Sequence, residues 1–262
     1  MENTPPKRKP YPSWIDLLAI LGFFLTGILV GGGVSALLAG RVPEKAELFA
    51  GYTTQFVVAI ALSLFLKSIR SNERPLLRLR GTATPWTVLW GTVLLFAVSV
   101  VIEPLISLFP ASHFEMLQNL IGMGGWVVMT TVVAAPLLEE ILFRGIIQEG
   151  AVRRLGPAGG IVVASAIFGI IHLIPPQVVN AFFLALVLGL VYYQSRSLTA
   201  VILIHAINNA ISYISMVLAD GKIVTCREML NNDRSYWMLY AVSAVLTVAG
   251  GMYAVKKLRM KR

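Results

Sequence analysis

Repeated apolar runs, each long enough to cross a lipid bilayer, constrain this chain more than any other feature of its sequence. The hydrocarbon core of a bilayer takes about 20 consecutive apolar residues of helix to cross. Lipid offers no hydrogen-bonding partners, so such runs must satisfy their backbone groups internally, as helices. We identify eight runs, at residues 13–38, 48–67, 85–109, 122–147, 158–174, 178–194, 198–218 and 235–255. The predicted fold class is therefore all-α, a polytopic transmembrane helical bundle.

The composition supports this class and excludes others. The chain of 262 residues is 56% hydrophobic and only 13% charged, whereas soluble domains carry about 25% charged residues. The single cysteine, Cys226, excludes an intrachain disulfide and a CxxC metal or redox pair.

The basic residues predict orientation in the membrane. The net charge of +9 would also suit a nucleic-acid partner, but 17 of the 22 lysines and arginines fall on one side of the eight spans. These are Lys7, Arg8, Lys9, Lys67, Arg70, Arg74, Arg78, Arg80, Arg144, Arg153, Arg154, Arg196, Lys256, Lys257, Arg259, Lys261 and Arg262. Cytoplasmic loops carry the basic excess in membrane proteins, so we expect both termini in the cytoplasm, a lipid environment and no nucleic-acid partner.

Polar groups divide the chain into three parts. Residues 1–115 hold three spans without clustered ionisable groups and are interpreted as accessory transmembrane helices. Residues 120–218 hold the intramembrane polar clusters and form the expected functional core, and residues 219–262 contribute an outer loop, the last helix and a basic tail. In the accessory part, Gly27-x3-Gly31 has a spacing typical of closely packed helices, within one chain or between two.

Two glutamates and an arginine interrupt the fourth apolar run. Charges at membrane depth cost roughly 2.5–3.5 kcal/mol each, so they are rare and usually functional. Glu140 and Arg144 are four residues apart, on one helix face and in the favourable order for an ion pair. Glu139 is rotated about 100° from Glu140, so it is available for another partner. Pro136 removes one backbone hydrogen bond and is expected to open or kink this helix.

Two later runs carry histidines. Phe168 and His172 share one helix face, as do His205 and Asn209, because each pair is four residues apart. Taken singly, His172 also fits an interfacial residue bonded to a carbonyl, and His205 with Asn209 fits interhelical hydrogen bonding. Together with Glu139, they favour an assembled site. A carboxylate and an imidazole can deprotonate water, while a second imidazole and an amide can stabilise an oxyanion.

The motifs Glu139-Glu140-x3-Arg144, Phe168-x3-His172 and His205-x3-Asn209 resemble the three signature motifs of the CPBP family. This family comprises type II CAAX prenyl proteases and bacterial relatives linked to bacteriocin processing and self-immunity. The resemblance covers about residues 120–216, with the motifs in the right order. It implies an intramembrane endopeptidase of the bacterial plasma membrane, with membrane-anchored peptides or proteins, prenylated or leader-bearing, as substrates.

The resemblance also implies residue roles. Glu139 and His172 would activate water, and His205 and Asn209 would stabilise the oxyanion. The supporting residues would be Glu140, Arg144 and Phe168.

Metal dependence is open at this point. Glu139, His172 and His205 offer a two-histidine, one-carboxylate set for zinc, but the sequence lacks an H-E-x-x-H pair on one helix. An amide beside His205 suits oxyanion stabilisation better than zinc binding. We therefore favour metal-independent water activation with no required cofactor, and keep a divalent metal as the alternative.

Two other functions compete with proteolysis. A non-catalytic immunity or scaffold protein would keep the site residues without turnover. A proton-coupled transporter also uses buried Glu and His, but a relay would spread ionisable groups along a path, whereas here they lie on three segments.

Convergence of the three segments places a condition on the fold. His172 lies about fourteen residues along its span, about 20 Å from its start, while His205 lies only about seven residues into its own. The groups can meet Glu139 only if its helix continues unbroken well past Arg144, towards Arg153 and Arg154, and if the short run 158–174 tilts or begins outside the lipid.

Overall fold

The computed structural model describes residues 11–71 and 77–260. Six of the basic residues used to predict orientation lie outside the described residues, namely Lys7, Arg8, Lys9, Arg74, Lys261 and Arg262. The described residues form helices and no β-strand. The helices are α1 Trp14–Leu38, α2 Glu44–Arg70, α3 Pro85–Ile106, α4 Ala111–Ile121, α5 Gly125–Val128, α6 Ala135–Glu140, α7 Glu149–Ile170, α8 Pro175–Ser195, α9 Leu198–Leu218, α10 Cys226–Leu230 and α11 Asp233–Met260.

The chain is a multi-pass helical membrane protein, as the apolar runs predict. Seven helices in the described part are long and apolar enough to cross a membrane. One of them, Gly125–Ile170, is 46 residues long and contains two of the eight predicted spans. It breaks at Gly156, whose φ of 72° and ψ of 174° are non-helical. Gly tolerates this positive φ, and Pro157 suits the first turn of the next helical stretch. The kink therefore lies between the two predicted spans, 122–147 and 158–174.

One feature differs from the sequence interpretation. Residues 110–121, between the third and fourth predicted spans, were expected to be a loop and contain the eleven-residue helix α4. None of its residues is fully buried. A short helix of this kind adds no span, and the number of passes is unchanged.

Contacts near the ends of the helices show which helix ends lie side by side. At one end, Arg70 pairs with Asp16 at 3.3 Å and the Arg154 Nε donates to the Pro12 carbonyl at 2.9 Å. At the other end, the Lys45 Nζ donates to the Leu120 carbonyl at 3.3 Å. The end of α2 and Arg154 therefore lie beside the start of α1, and the start of α2 lies beside the end of α4. The assignment of the first end to the cytoplasm stays a prediction.

Helices α1 and α2 pack backbone to backbone. A Cβ on Gly31 would collide with the Gly51 carbonyl oxygen, and one on Gly27 would collide with the Gln55 carbonyl oxygen. The glycine spacing therefore serves packing inside one chain. This contact fixes how α2 faces the rest of the bundle.

The helix that carries the two glutamates is wound partly as a π-helix. Its π-helical segments, Met129–Ala134 and Ile141–Gln148, flank α6. Such segments are rare and frequently occur at functional sites. The helix runs without a break through Arg144 to the Gly156 kink, which meets the condition set by the sequence.

The loop between α9 and α11 is held by one carboxylate. Glu103 accepts hydrogen bonds from the backbone N–H groups of Cys226 and Arg227 at 2.7 and 3.1 Å. Burial, and then the nearby Glu103 carboxylate, raise the pKa of the Cys226 thiol to about 11. The thiolate is the reactive form of cysteine, so the folded protein holds this thiol in a poorly reactive state at neutral pH.

We expect Cys226 to react slowly with a membrane-impermeant maleimide at pH 7. The rate should rise by about tenfold per pH unit up to pH 10, because the thiolate fraction grows in that proportion below the pKa. In detergent-denatured protein the profile should level off near the ordinary thiol pKa of about 8.5. Glu103→Gln should accelerate labelling of the folded protein at fixed pH. Identical profiles for folded and denatured protein would contradict the proposed environment.

Candidate active site

A buried ion pair on one helix face anchors the site. The Glu140 Oε1 lies 2.9 Å from the Arg144 Nη1, as the four-residue spacing predicts. Glu140 is fully buried and Arg144 is 2% exposed, so each charge depends on the other. The Arg144 guanidinium also lies over the Phe168 ring, 4.7 Å from its centroid, a cation–π contact.

The same carboxylate oxygen fixes His205. The His205 Nδ1 lies 2.9 Å from the Glu140 Oε1, so it carries the proton and donates to the carboxylate. This contact joins α6 to α9. It leaves the Nε2 of His205 as the ring atom that faces Glu139, with 3.9 Å between Nε2 and the Glu139 Oε2.

Glu139 has a partner that the sequence interpretation missed. The hydroxyl of Tyr52 on α2 donates to the Glu139 Oε1 at 2.6 Å, while Oε2 is directed towards His205. The sequence contained one signal for this contact. Tyr52 begins the polar run Tyr-Thr-Thr-Gln within an otherwise apolar span.

The Phe168 ring contacts both imidazoles. Its centroid is 4.9 Å from that of His172 and 6.2 Å from that of His205, and Phe143 packs perpendicular to it at 4.9 Å. The His172 Nδ1 lies 2.8 Å from the Phe168 carbonyl oxygen. A carbonyl only accepts, so Nδ1 carries the proton in this contact and the Nε2 lone pair of the neutral ring is available.

Asn209 is held by a carbonyl that Pro136 leaves without a donor. In the π-helical stretch before α6, the Ala135 N–H reaches back five residues to the Thr130 carbonyl. The next donor in this series would be residue 136, and proline has no N–H. The Asn209 Nδ2 instead donates to the Thr131 carbonyl at 2.8 Å. One amide proton of Asn209 is used here, and the second remains for another acceptor.

The four proposed catalytic side chains are largely buried but keep some exposed surface. Glu139 and His205 each keep 7% of their surface exposed, and His172 and Asn209 are half-buried. All four side chains therefore retain some exposed surface.

The described residues do not form a metal site. Within residues 11–71 and 77–260, no group of three His, Cys, Asp or Glu side chains is placed to hold a metal ion. Glu139, His172 and His205 therefore do not fit the zinc set in this arrangement, and we derive no step through a metal.

The segment that contains the three motifs matches a known protein family. Residues 122–211 match the model of the type II CAAX prenyl endopeptidases, Rce1-like. This match supports CPBP family membership for the matched segment. The match covers the three motifs and about a third of the chain, and leaves α1–α3 outside. No curated protein and no solved structure gave a match. The family is one of membrane proteases, which agrees with the site chemistry.

Proposed function

We propose that this CPBP-family protein is an intramembrane endopeptidase that hydrolyses membrane-anchored polypeptides by activating water. The observation that carries the proposal is the orientation of the two imidazoles. Each has its Nδ1 fixed by an acceptor, the Phe168 carbonyl for His172 and Glu140 for His205. Their Nε2 atoms are therefore free to act on a substrate.

Glu139 and His172 are proposed to generate the nucleophile. The Nε2 lone pair of neutral His172 and the Glu139 carboxylate are both proton acceptors. The Tyr52 hydroxyl occupies the Glu139 Oε1, so Oε2 is the oxygen proposed to take the proton from water. Removal of its proton gives a hydroxide that attacks the scissile carbonyl.

His205 and Asn209 are proposed to stabilise the tetrahedral oxyanion. A protonated His205 donates through Nε2, because its Nδ1 is occupied by Glu140. Asn209 contributes the amide proton that Thr131 does not use. The proton taken from water then passes to the leaving amine as the C–N bond breaks, so the two products are a carboxylate and an amine.

The position of the site in a multi-pass bundle supports membrane-anchored substrates. Glu139 and Glu140 lie in Gly125–Ile170 and His205 lies in Leu198–Leu218, both long enough to cross the membrane. A polypeptide reaches such a site most readily when it is itself held at the bilayer by a lipid group or an apolar segment. Prenylated and leader-bearing peptides are the two substrate classes to compare.

The proposed reaction needs no metal. We expect EDTA or 1,10-phenanthroline, at concentrations that strip zinc enzymes, to leave the initial rate within about twofold of the untreated rate. A matched sample re-supplied with Zn²⁺ should show no gain. Loss of activity on chelation and its recovery with one divalent ion would contradict the metal-independent mechanism.

The test of the function uses purified protein in liposomes with two fluorogenic reporters, one farnesylated and one carrying an apolar leader. We expect cleavage of at least one reporter by the wild type. His172→Ala should lower the rate by at least about 100-fold, the scale of acid–base catalysis. His113→Ala, which changes the histidine in α4, is the matched control and should retain activity. Equal rates in wild type and His172→Ala would contradict the proposal and favour a scaffold or immunity protein.

A further inference from the structure

Tyr52 lies in α2, outside the segment 122–211 that matches the family model. We propose that Tyr52 is a positioning residue for the reaction, which acts by holding the Glu139 carboxylate in its working orientation. The inference rests on the proposed function. It also assigns α2 to the active site rather than to an accessory part of the molecule.

The hydrogen bond itself is short and directed at the reacting group. The Tyr52 hydroxyl donates to the Glu139 Oε1 at 2.6 Å, within the range of charge-assisted O–H···O⁻ bonds. It occupies Oε1 and leaves Oε2 directed at His205. A carboxylate on a rotatable side chain would otherwise sample other orientations, so this bond selects the one that faces the imidazole.

The tyrosine is held by its own surroundings. Its ring packs on Phe56 with 4.9 Å between centroids, and Phe56 is 2% exposed and packs edge-on against Phe24 of α1. The preceding residue, Gly51, meets the Gly31 backbone so closely that a Cβ there would collide with it and with Ser35. The α1–α2 contact therefore sets where the hydroxyl lies.

The tyrosine does not act on the substrate in this proposal. Its single proton is used in the bond to Glu139, so it is not counted as the donor to the leaving amine. Its effect is expected in kcat and not in KM, since an oriented base matters in the transition state and contributes little to binding.

The test measures kcat and KM of the Tyr52→Phe variant, made as a single change and reconstituted in liposomes. Tyr240→Phe on α11 is the matched control. We expect kcat to fall by about 10- to 100-fold, the factor that a hydrogen bond to a charged group accounts for. KM and the thermal unfolding midpoint should stay close to the wild-type values. Tyr240→Phe should leave both kinetic constants unchanged. In a Glu139→Gln background, Tyr52→Phe should cause no further loss, because the hydroxyl acts through the carboxylate.

The outcomes separate this inference from the proposed function. Wild-type kcat in Tyr52→Phe, with Glu139→Gln inactive, would overturn the positioning role and leave the protease function intact. A raised KM at unchanged kcat would overturn it as well, since that result indicates substrate contact. Equal rates in wild type and Glu139→Gln would overturn the proposed function and the inference together.

Discussion

Glu139→Gln is expected to abolish peptide-bond hydrolysis while the protein stays folded. Glutamine keeps the size of the side chain and can still accept a bond from Tyr52 at its amide oxygen, but it cannot take a proton from water. Removal of a general base costs about 10²- to 10⁴-fold. We therefore expect kcat for a liposome-bound peptide to fall by at least about 100-fold, with the unfolding midpoint close to that of the wild type.

The matched control is Glu115→Gln. Glu115 is an exposed glutamate of α4, so the same chemical change is made away from the site and should leave the rate unchanged. If Glu139→Gln retained more than about a tenth of wild-type kcat, the carboxylate would not be the base that activates water.

Glu140→Gln is expected to lower both stability and activity. The change leaves the Arg144 guanidinium, 2% exposed, without the carboxylate 2.9 Å away. Breaking one half of a buried pair costs about 3–5 kcal/mol, which should appear as a clear fall in the unfolding midpoint in detergent. His205 also loses its carboxylate partner at Nδ1, so activity should fall even at temperatures where the variant is folded.

A double variant separates the two effects. Glu140→Gln with Arg144→Met removes both charges and should recover much of the lost stability, since replacing a whole buried pair by apolar groups is often close to neutral. It should not recover activity, because His205 still lacks its carboxylate. The matched control is Asp233→Asn, which breaks the exposed pair between Asp233 and Arg227 and should cost under about 1 kcal/mol. Full activity in the double variant would contradict the role assigned to Glu140.

Local spacing predicted the contacts that lie within one helix. The Glu140–Arg144 pair follows from a separation of four residues. Phe168 and His172 are in contact as expected, but with tilted rings, and His172 lies in the turn just after α7 and not on its face. The continuation of the helix past Arg144 followed from distance, since His172 and His205 lie at different depths in their own spans. Apolar run length predicted the spans, although it did not show that the fourth and fifth are joined only by a kink at Gly156.

The contacts between helices could not be predicted from the sequence. The sequence interpretation paired Glu140 with Arg144 alone, whereas its carboxylate also receives His205 from α9, because that contact depends on how α6 and α9 pack. Tyr52 carries no formal charge, so its presence in an apolar span costs little and gave no strong signal. The carbonyl that holds Asn209 is freed by Pro136 together with the π-helical winding, and the winding cannot be read from residue types.

The most direct test of the account is the formation of new peptide ends in membranes that contain this protein. Membranes with wild type or Glu139→Gln are incubated in H₂¹⁸O, and peptide termini are compared by mass spectrometry. We expect a set of new carboxyl termini, on membrane-anchored polypeptides, that carry ¹⁸O and are found with the wild type only. The same termini in both samples, or none with the wild type, would contradict hydrolysis by a water that Glu139 activates.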